Sequence, residues 1–444
     1  MIETIFALSS GFGRAALAVL RLSGPGVKDI LTAMVGGVPE PRNATLARFK
    51  DPASGEVVDR GLALFFPAPA SFTGEDCAEF HCHGGQAVVA AMMRALAGFK
   101  ATRPAEPGEF ARRAFENGKL DLTEVEGLAD LIDAETEAQR RQALRQTQGE
   151  LRRKVERWRK DLLEASALIE AEIDFADEAD VPGAARHQIL GIVEGLILQL
   201  KDALAAGGAG ERLREGMTVV IAGPPNAGKS TLLNALARRE AAIVSAIPGT
   251  TRDAIEVHLD LAGVPLTLID TAGLRESEDP VEVIGIGRTR AKAALADLIL
   301  WLCEAAAPEA PSAFQDGSEV WTIFTKTDLA ERSKVRTDPT DRGGLALSAA
   351  TGENMDLLLA RLTEFAKTAT GGGAGALITR ERHRRAMSAA LAALERAHDE
   401  LLFEAPELLA EDLRCAIRAL ESLVGKIDVE DILGEIFSRF CIGK

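Results

Sequence analysis

Eight consecutive residues carry the clearest chemistry: Gly223-Pro224-Pro225-Asn226-Ala227-Gly228-Lys229-Ser230. An apolar run (Val219, Val220, Ile221, Ala222) leads in, and a helical pattern (Thr231, Leu232, Leu233, Asn234, Ala235, Leu236) follows. This is a phosphate-binding loop in the strand–loop–helix context its chemistry needs. Gly223 and Gly228 let backbone N–H groups curl toward phosphate oxygens. The helix N-terminus adds its positive end. Lys229 places a point charge on the β- and γ-phosphates, and the Ser230 hydroxyl suits a Mg²⁺ ligand.

Four later segments follow in the order a GTPase requires. Gly249-Thr250-Thr251-Arg252-Asp253 offers a threonine, Thr251, as second Mg²⁺ ligand and γ-phosphate sensor. Asp270-Thr271-Ala272-Gly273 ends an apolar strand; Asp270 suits the Mg²⁺ shell and the Gly273 N–H the γ-phosphate. Thr325-Lys326-Thr327-Asp328 ends another apolar run. A carboxylate there accepts from both N1–H and the exocyclic amine of guanine, a donor pair adenine lacks. Thr325 stands where asparagine is commonest, so Asp328 carries the choice of base. Ser348-Ala349-Ala350 would back the base. Each segment follows a strand, so all gather at the carboxyl edge of one sheet. Leu274 takes the place of the water-orienting glutamine of Ras-like GTPases and cannot do that work. Arg275, Glu276, Glu278, Asp279 and Glu282 lie nearby, and the residues alone do not choose among them.

These segments need a scaffold, and the chain is long enough for about three domains at 444 residues. Residues 1–115 mix short apolar runs (15–22, 61–66, 78–81) with Gly/Pro punctuation, which reads as a small α/β or α+β domain. Residues 116–210 are helical: Leu151, Val155, Trp158, Leu162, Ala165, Ile169 and Ile173 recur at three- and four-residue spacing. The glycine-rich stretch 205–210 reads as a flexible joint. Residues 216–370 alternate strand-like and helix-like segments, as in a doubly wound α/β domain. A second glycine-rich joint follows at 370–375, and 375–444 is helical again. The expected fold is therefore multidomain: an N-terminal α/β (α+β) domain, then a discontinuous all-α helical domain into which a Ras-like P-loop α/β G domain is inserted.

Composition narrows the class. Hydrophobic content of 47% and charged content of 27% are those of a soluble globular chain. No apolar run reaches the ~18 residues of a membrane span. Met1-Ile2-Glu3-Thr4 opens no secretory pattern. Five cysteines without C-x-x-C spacing point to a reducing compartment, hence a cytoplasmic location. The net charge of −16 argues against bulk non-specific nucleic-acid binding but leaves room for a local basic face. Two clusters offer one: Arg140, Arg141, Arg145, Arg152, Arg153, Lys154, Arg157, Arg159 and Lys160, and Arg380, Arg382, Arg384 and Arg385. Such runs are more often solvated helix faces, and Glu150, Glu156, Asp161 and Glu164 break up the first. His81-Cys82-His83 invites a metal reading, but alternation in a strand separates the cysteine from the histidines. No partner pair has ligand spacing, so a structural role is expected there.

The loop, Gly249-Thr250-Thr251-Arg252-Asp253 and Asp270-Thr271-Ala272-Gly273-Leu274-Arg275 resemble the translation-factor-like GTPases. Flanking stretches resemble the MnmE (TrmE) family within that class: Ser71-Phe72-Thr73-Gly74-Glu75-Asp76, His83-Gly84-Gly85, Arg103-Pro104-Ala105-Glu106-Pro107-Gly108-Glu109-Phe110, Asn117-Gly118-Lys119-Leu120-Asp121-Leu122 and Cys441-Ile442-Gly443-Lys444. The resemblance implies an N-terminal domain that dimerises and binds 5-formyl- or methylene-tetrahydrofolate through Arg21, Glu79, Lys119 and Lys444. It implies an FAD-dependent partner, MnmG, with which the homodimer forms a heterotetramer or larger complex. Together they add an aminomethyl or carboxymethylaminomethyl group at C5 of the wobble uridine of certain tRNAs. It implies that G domains dimerise across K⁺ held by Asn226, Ser245, Ile247 and Thr250, and that Glu282 orients the attacking water beside Lys229 and Thr251. The implied GTP shell comprises Asn226, Ala227, Gly228, Lys229, Ser230, Thr231, Ser245, Ala246, Ile247, Pro248, Gly249, Thr250, Thr251, Asp270, Thr271, Ala272, Gly273, Thr325, Lys326, Asp328, Ser348, Ala349 and Ala350. Mg²⁺ would sit on Ser230 and Thr251. The match to the terminal Cys-Ile-Gly-Lys implies a one-carbon or redox role for Cys441. Pro224 departs from the family's usual arginine, and Ser9-Ser10-Gly11-Phe12-Gly13 from its usual Ala-Thr-Pro. The rival reading is an Era-like ribosome-assembly or RNA-binding GTPase switch, for which a basic C-terminal RNA module would speak; a weaker one is a GTPase that only scaffolds assembly.

Overall fold

The computed structural model describes residues 3–11, 13–174, 182–239, 242, 256–270, 296–308, 319–329, 344–371, 375–403, 405–427, 430–438, 440 and 443. The chain forms two compact units, one from 1–129, 147–163 and 417–444, the other from 130–146 and 164–416.

The first unit is built on a six-stranded sheet of β1 (Thr4–Leu8), β2 (Leu17–Ser23), β3 (Thr45–Lys50), β4 (Val57–Phe66), β5 (Cys77–His83) and β6 (Thr102–Pro104), in the order β3-β4-β5-β2-β1-β6. All pairs are antiparallel except β1 with β6. Alternation decides which face is buried. Ala18, Leu20 and Leu22 of β2, with Ala78, Phe80 and Cys82 of β5, join Ile30, Leu31 and Met34 of α1 (Val27–Val35) and Met92 and Leu96 of α2 (Gln86–Ala97) in one core. The residues between them, among them Arg21, Glu79 and His81, occupy the other face. The unit goes on through α3 (Glu109–Glu116) and α4 (Leu122–Asp133). The α4 N-terminus is a reciprocal capping box. The Glu124 N–H donates to Asp121 Oδ1 at 2.8 Å, and the Asp121 N–H donates to Glu124 Oε2 at 2.8 Å. The chain's last segment returns here: Phe437 and Phe440 pack with Ala111 and Val125, and the Ser9 hydroxyl donates to the Gly443 carbonyl at 3.0 Å.

The long amphipathic helix expected from periodicity is α6 (Glu150–Asp174), after α5 (Glu137–Thr147). Leu151, Val155, Trp158, Leu162, Ala165 and Ile169 are its buried stripe, each at most 1% exposed.

The second unit holds α7 (Pro182–Glu215), which corrects one expectation. The glycine-rich stretch 205–210 is not a joint; α7 runs through it without a break. A Cβ on Gly210 would stand 2.2 Å from the Ile378 carbonyl oxygen, and one on Gly207 3.1 Å from the Ile378 side chain. The missing side chains admit another segment of backbone, rather than freedom to bend.

After α7 comes the second sheet: β7 (Met217–Ala222), β8 (Glu256–Leu261), β9 (Val264–Asp270), β10 (Leu298–Glu304), β11 (Glu319–Thr325) and β12 (Gly344–Ala346), in the order β12-β11-β10-β7-β9-β8. Every pair is parallel except β8 with β9. Parallel strands are covered on both faces and therefore read as continuous apolar runs. Val219, Ile221, Leu266, Leu268, Leu300, Leu302 and Ile323 pack with α8 (Lys229–Ala237) and α9 (Met355–Ala369) on one side. Val220, Ala222, Ile269 and Ile299 form the smaller core on the other. Then α10 (Glu381–Phe403) packs along α7, and α11 (Pro406–Val424) and α12 (Glu430–Ser438) close the chain.

Candidate functional site

The five parallel strands end at one edge, and the loop leaves β7 in the middle of it. Gly223 has φ +144°, and a Cβ there would lie 2.1 Å from the Leu302 carbonyl oxygen of β10. Only glycine lets the loop depart so close to the neighbouring strand. Asn226 and Gly228 also have positive φ, of 65° and 87°, which turns the loop back over the start of α8. Lys229 Nζ reaches over the loop to the carbonyl oxygens of Gly223 and Pro224, both at 2.8 Å. Ser230 Oγ donates to Asp270 Oδ2 at 3.1 Å. Asp270, the last residue of β9, is buried, while Ser230 and Thr231 are exposed. A hydroxyl and a carboxylate so placed at a helix N-terminus form an oxygen-rich corner suited to a hard divalent cation and the phosphates it accompanies.

The segment expected to recognise the base, Thr325–Asp328, is tied to this loop. Buried Thr325 lies with its hydroxyl 2.8 Å from the Ala227 carbonyl oxygen and 3.1 Å from that of Cys303. Its single proton is thus used within the scaffold, which leaves Asp328 as the carboxylate of this segment that could meet a base. That residue is exposed on a turn of 3₁₀ helix, Thr327–Leu329. Lys326, at φ 58°, pairs with Glu304. Thr327 Oγ1 donates to Glu353 Oε2 at 3.0 Å. Ser348 is 1% exposed; its N–H donates to the Glu353 carbonyl at 3.1 Å and its Oγ accepts from the Thr351 N–H at 3.2 Å. Ala349 and Ala350 follow it at the same edge. The structure thus brings together Asn226, Ala227, Gly228, Lys229, Ser230, Thr231, Asp270, Thr325, Lys326, Asp328, Ser348, Ala349 and Ala350. Ser245, Ala246, Ile247, Pro248, Gly249, Thr250, Thr251, Thr271, Ala272, Gly273 and Glu282 lie outside the described residues.

A second constellation sits on the open face of the N-terminal sheet. Register pairs Arg21 of β2 directly with Glu79 of β5. Arg21 Nε and Nη2 donate to Glu79 Oε1 at 3.1 and 2.9 Å. The guanidinium lies 5.5 Å from the Phe72 ring and 6.0 Å from that of Phe110, so both aromatics border the pair. His81 Nε2 is 3.2 Å from Glu79 Oε2. Burial works to raise the Glu79 pKa, but the His81 hydrogen bond and then the Arg21 charge outweigh it and hold the carboxyl below its ordinary value. Lys119 reaches the Pro69 carbonyl at 2.9 Å, on the same loop that carries Phe72. Lys444 and Cys441 lie outside the described residues. Sequence reasoning missed His81, Phe72 and Phe110 as members of this face. The signal for His81 was available, since it follows Glu79 by two residues in a strand.

The motifs around this face have a structural task too. Glu109 takes Arg103 Nη1 and Nη2 at 2.8 and 2.7 Å and Arg113 Nη2 at 3.0 Å. Arg113 Nη1 reaches Glu75 at 2.9 Å, and Glu75 accepts from Ser23 Oγ at 2.6 Å. No group of His, Cys, Asp or Glu suited to a metal occurs among the described residues. His83 is held by Asp59 at 2.9 Å instead. Cys82 is buried, and burial, then the Asp59 charge, push its thiol up to about 11. A thiol so protonated is a poor metal ligand or nucleophile at neutral pH.

Two family models match the chain: "GTP-binding protein TrmE N-terminus" over residues 4–119 and "MnmE helical domain" over residues 122–441. The chain is 57% identical to the tRNA modification GTPase MnmE of Beijerinckia indica, covering 100% of this chain and 96% of the relative. It is 52% identical to the protein of that name from Rhodopseudomonas palustris, covering 100% and 99%. It is 54% identical to that of Methylobacterium sp., covering 100% of both.

Proposed function

The chain belongs to the MnmE (TrmE) family, and from that premise we propose that it is a GTP-hydrolysing enzyme of tRNA modification. The observation that carries the hydrolytic half is the carboxyl-edge site, where Lys229, Ser230 and Asp270 converge beside the Thr325–Asp328 turn. The loop's amides and Lys229 would bind the phosphates. Asp328 would select guanine. Ser230, with Thr251, would hold Mg²⁺, which neutralises charge on the phosphates when bound. Their donor set fits: a hydroxyl lies 3.1 Å from a buried carboxylate.

With an FAD-dependent partner, MnmG, the enzyme adds the aminomethyl or carboxymethylaminomethyl group at C5 of the wobble uridine. It acts in the cytoplasm as a homodimer. The Arg21–Glu79 pair, Lys119 and Lys444 bind the tetrahydrofolate one-carbon donor, and Cys441 serves close to it. Because Leu274 cannot orient water, hydrolysis draws on Glu282 and on dimerisation of G domains across K⁺, held by Asn226, Ser245, Ile247 and Thr250. Closing two G domains over their nucleotides excludes water, and symmetry makes that contact isologous. The test is the GTP hydrolysis rate in KCl against NaCl at equal ionic strength, for wild type and Glu282→Ala. Strong K⁺ stimulation, lost in the variant while nucleotide still binds, is the expected result. Equal rates in both salts would refute the cation-dependent mechanism.

A further inference from the structure

Glu79 is held by more than its arginine. A carboxylate offers about four lone-pair positions. Arg21 Nε and Nη2 occupy two, both on Oε1, at 3.1 and 2.9 Å. His81 Nε2, at 3.2 Å, occupies one on Oε2. Among the described residues, one position on Oε2 is left. Side-chain exposures of 20% for Arg21, 19% for Glu79 and 30% for His81 keep the group packed yet reachable. Across the ladder, Leu64 of β4 stands opposite Glu79 and Leu62 opposite His81, so this neighbouring strand supplies no competing charge at those positions. Phe72 and Phe110 border Arg21 on a further side.

We propose that His81 is a positioning residue: its Nε2–H fixes the rotation of the Glu79 carboxylate, so that the remaining Oε2 position faces an N–H donor on a flat heteroaromatic ligand. A partly buried carboxylate already satisfied on three sides accepts one neutral donor at little cost and disfavours an anionic group at that position. This rests on the reading of Arg21 and Glu79 as tetrahydrofolate contacts, and it assigns to His81 a role that works through Glu79.

The probe is 5-formyl-tetrahydrofolate, titrated into the full-length protein by calorimetry, with thermal unfolding followed on each variant. His81→Leu should raise Kd about tenfold, the scale of one charge-assisted hydrogen bond. His81→Gln, which keeps an N–H donor, should restore most of the affinity. In a Glu79→Gln background, His81→Leu should add no further loss, because a positioning residue has nothing left to position. Wild-type affinity in His81→Leu, with binding lost in Glu79→Gln, would overturn the role of His81 and leave the folate reading standing. Equal losses in His81→Leu and His81→Gln would also overturn it. Wild-type affinity in both Glu79→Gln and Arg21→Ala would overturn the folate reading itself.

Discussion

If Asp328 selects guanine, it does so as one exposed carboxylate, because the Thr325 hydroxyl is committed to the Ala227 and Cys303 carbonyls. Asp328→Asn should therefore exchange guanine for xanthine: GTP affinity falls at least about tenfold and XTP affinity rises above it, as competition binding would measure. Unchanged preference would sink the assignment. Glu109 supports a different claim, about stability. Burial disfavours its charge, but the Arg103 bonds, the Glu106 N–H and Arg113 outweigh it and hold its pKa below the ordinary 4.5. A depressed folded-state pKa gives stability that is present above the unfolded value and lost as pH falls through the folded one. Glu109→Gln should thus cost on the order of 2 kcal/mol at pH 7, discounted from a fully buried pair because Arg103 is partly solvated. The gap between wild type and variant should shrink by pH 3, as urea unfolding at both pH values would show. A pH-independent gap would mean that packing, not charge, is the loss. Contiguity governs what is legible at this scale. The phosphate loop is eight adjacent residues and could be read directly. Arg21 and Glu79 are 58 positions apart, and only strand register unites them.

At the scale of elements, periodicity located α6, because burial on one face leaves a repeating mark on composition, and the apolar runs 15–22, 61–66, 78–81, 219–222 and 266–269 fell on β2, β4, β5, β7 and β9. The glycine-rich stretch 205–210 was misread, because a glycine's meaning depends on what approaches it. Two substitutions in α7 separate these readings. Gly208 has nothing within 4 Å of a built Cβ. Gly208→Ala should stabilise the protein by roughly 0.5–1 kcal/mol through helix propensity alone. Gly210→Ala places its Cβ 2.2 Å from the Ile378 carbonyl oxygen, where backbone has to move. It should destabilise by about 1–3 kcal/mol despite the same gain in propensity. Thermal unfolding of the pair decides. A flexible joint would give both the same small effect, whereas a packed helix gives opposite signs.

For the whole molecule the question is where a chain of net charge −16 meets a polyanion. Much of the basic character of the helices is cancelled locally. Arg140 and Arg141 share Glu137, Arg152 pairs with Glu124 and Glu156, and Arg159 with Glu421. Arg380 pairs with Asp130, and Arg385 with Glu381. Arg153 and Arg157 differ: they donate to the backbone carbonyls of Gln148 and Arg153, which leaves their charge uncompensated. With exposed Lys160 they recur at helical spacing on one side of α6, and among the described residues none of the three forms an ion pair. If tRNA is the partner, this short stripe is where phosphate should be felt. Each phosphate contact contributes about 0.9 to the slope of log affinity against log salt on a duplex. Reversing Arg153, Arg157 and Lys160 to glutamate should weaken tRNA binding by about tenfold or more and lower that slope by roughly 2–3, as binding across a salt series would measure. Reversing Arg140 and Arg141, whose charge Glu137 already shares, should change both far less. An unchanged slope in the triple variant would place the tRNA surface elsewhere, and the net negative charge would then make a basic partner subunit the simpler source of phosphate contacts.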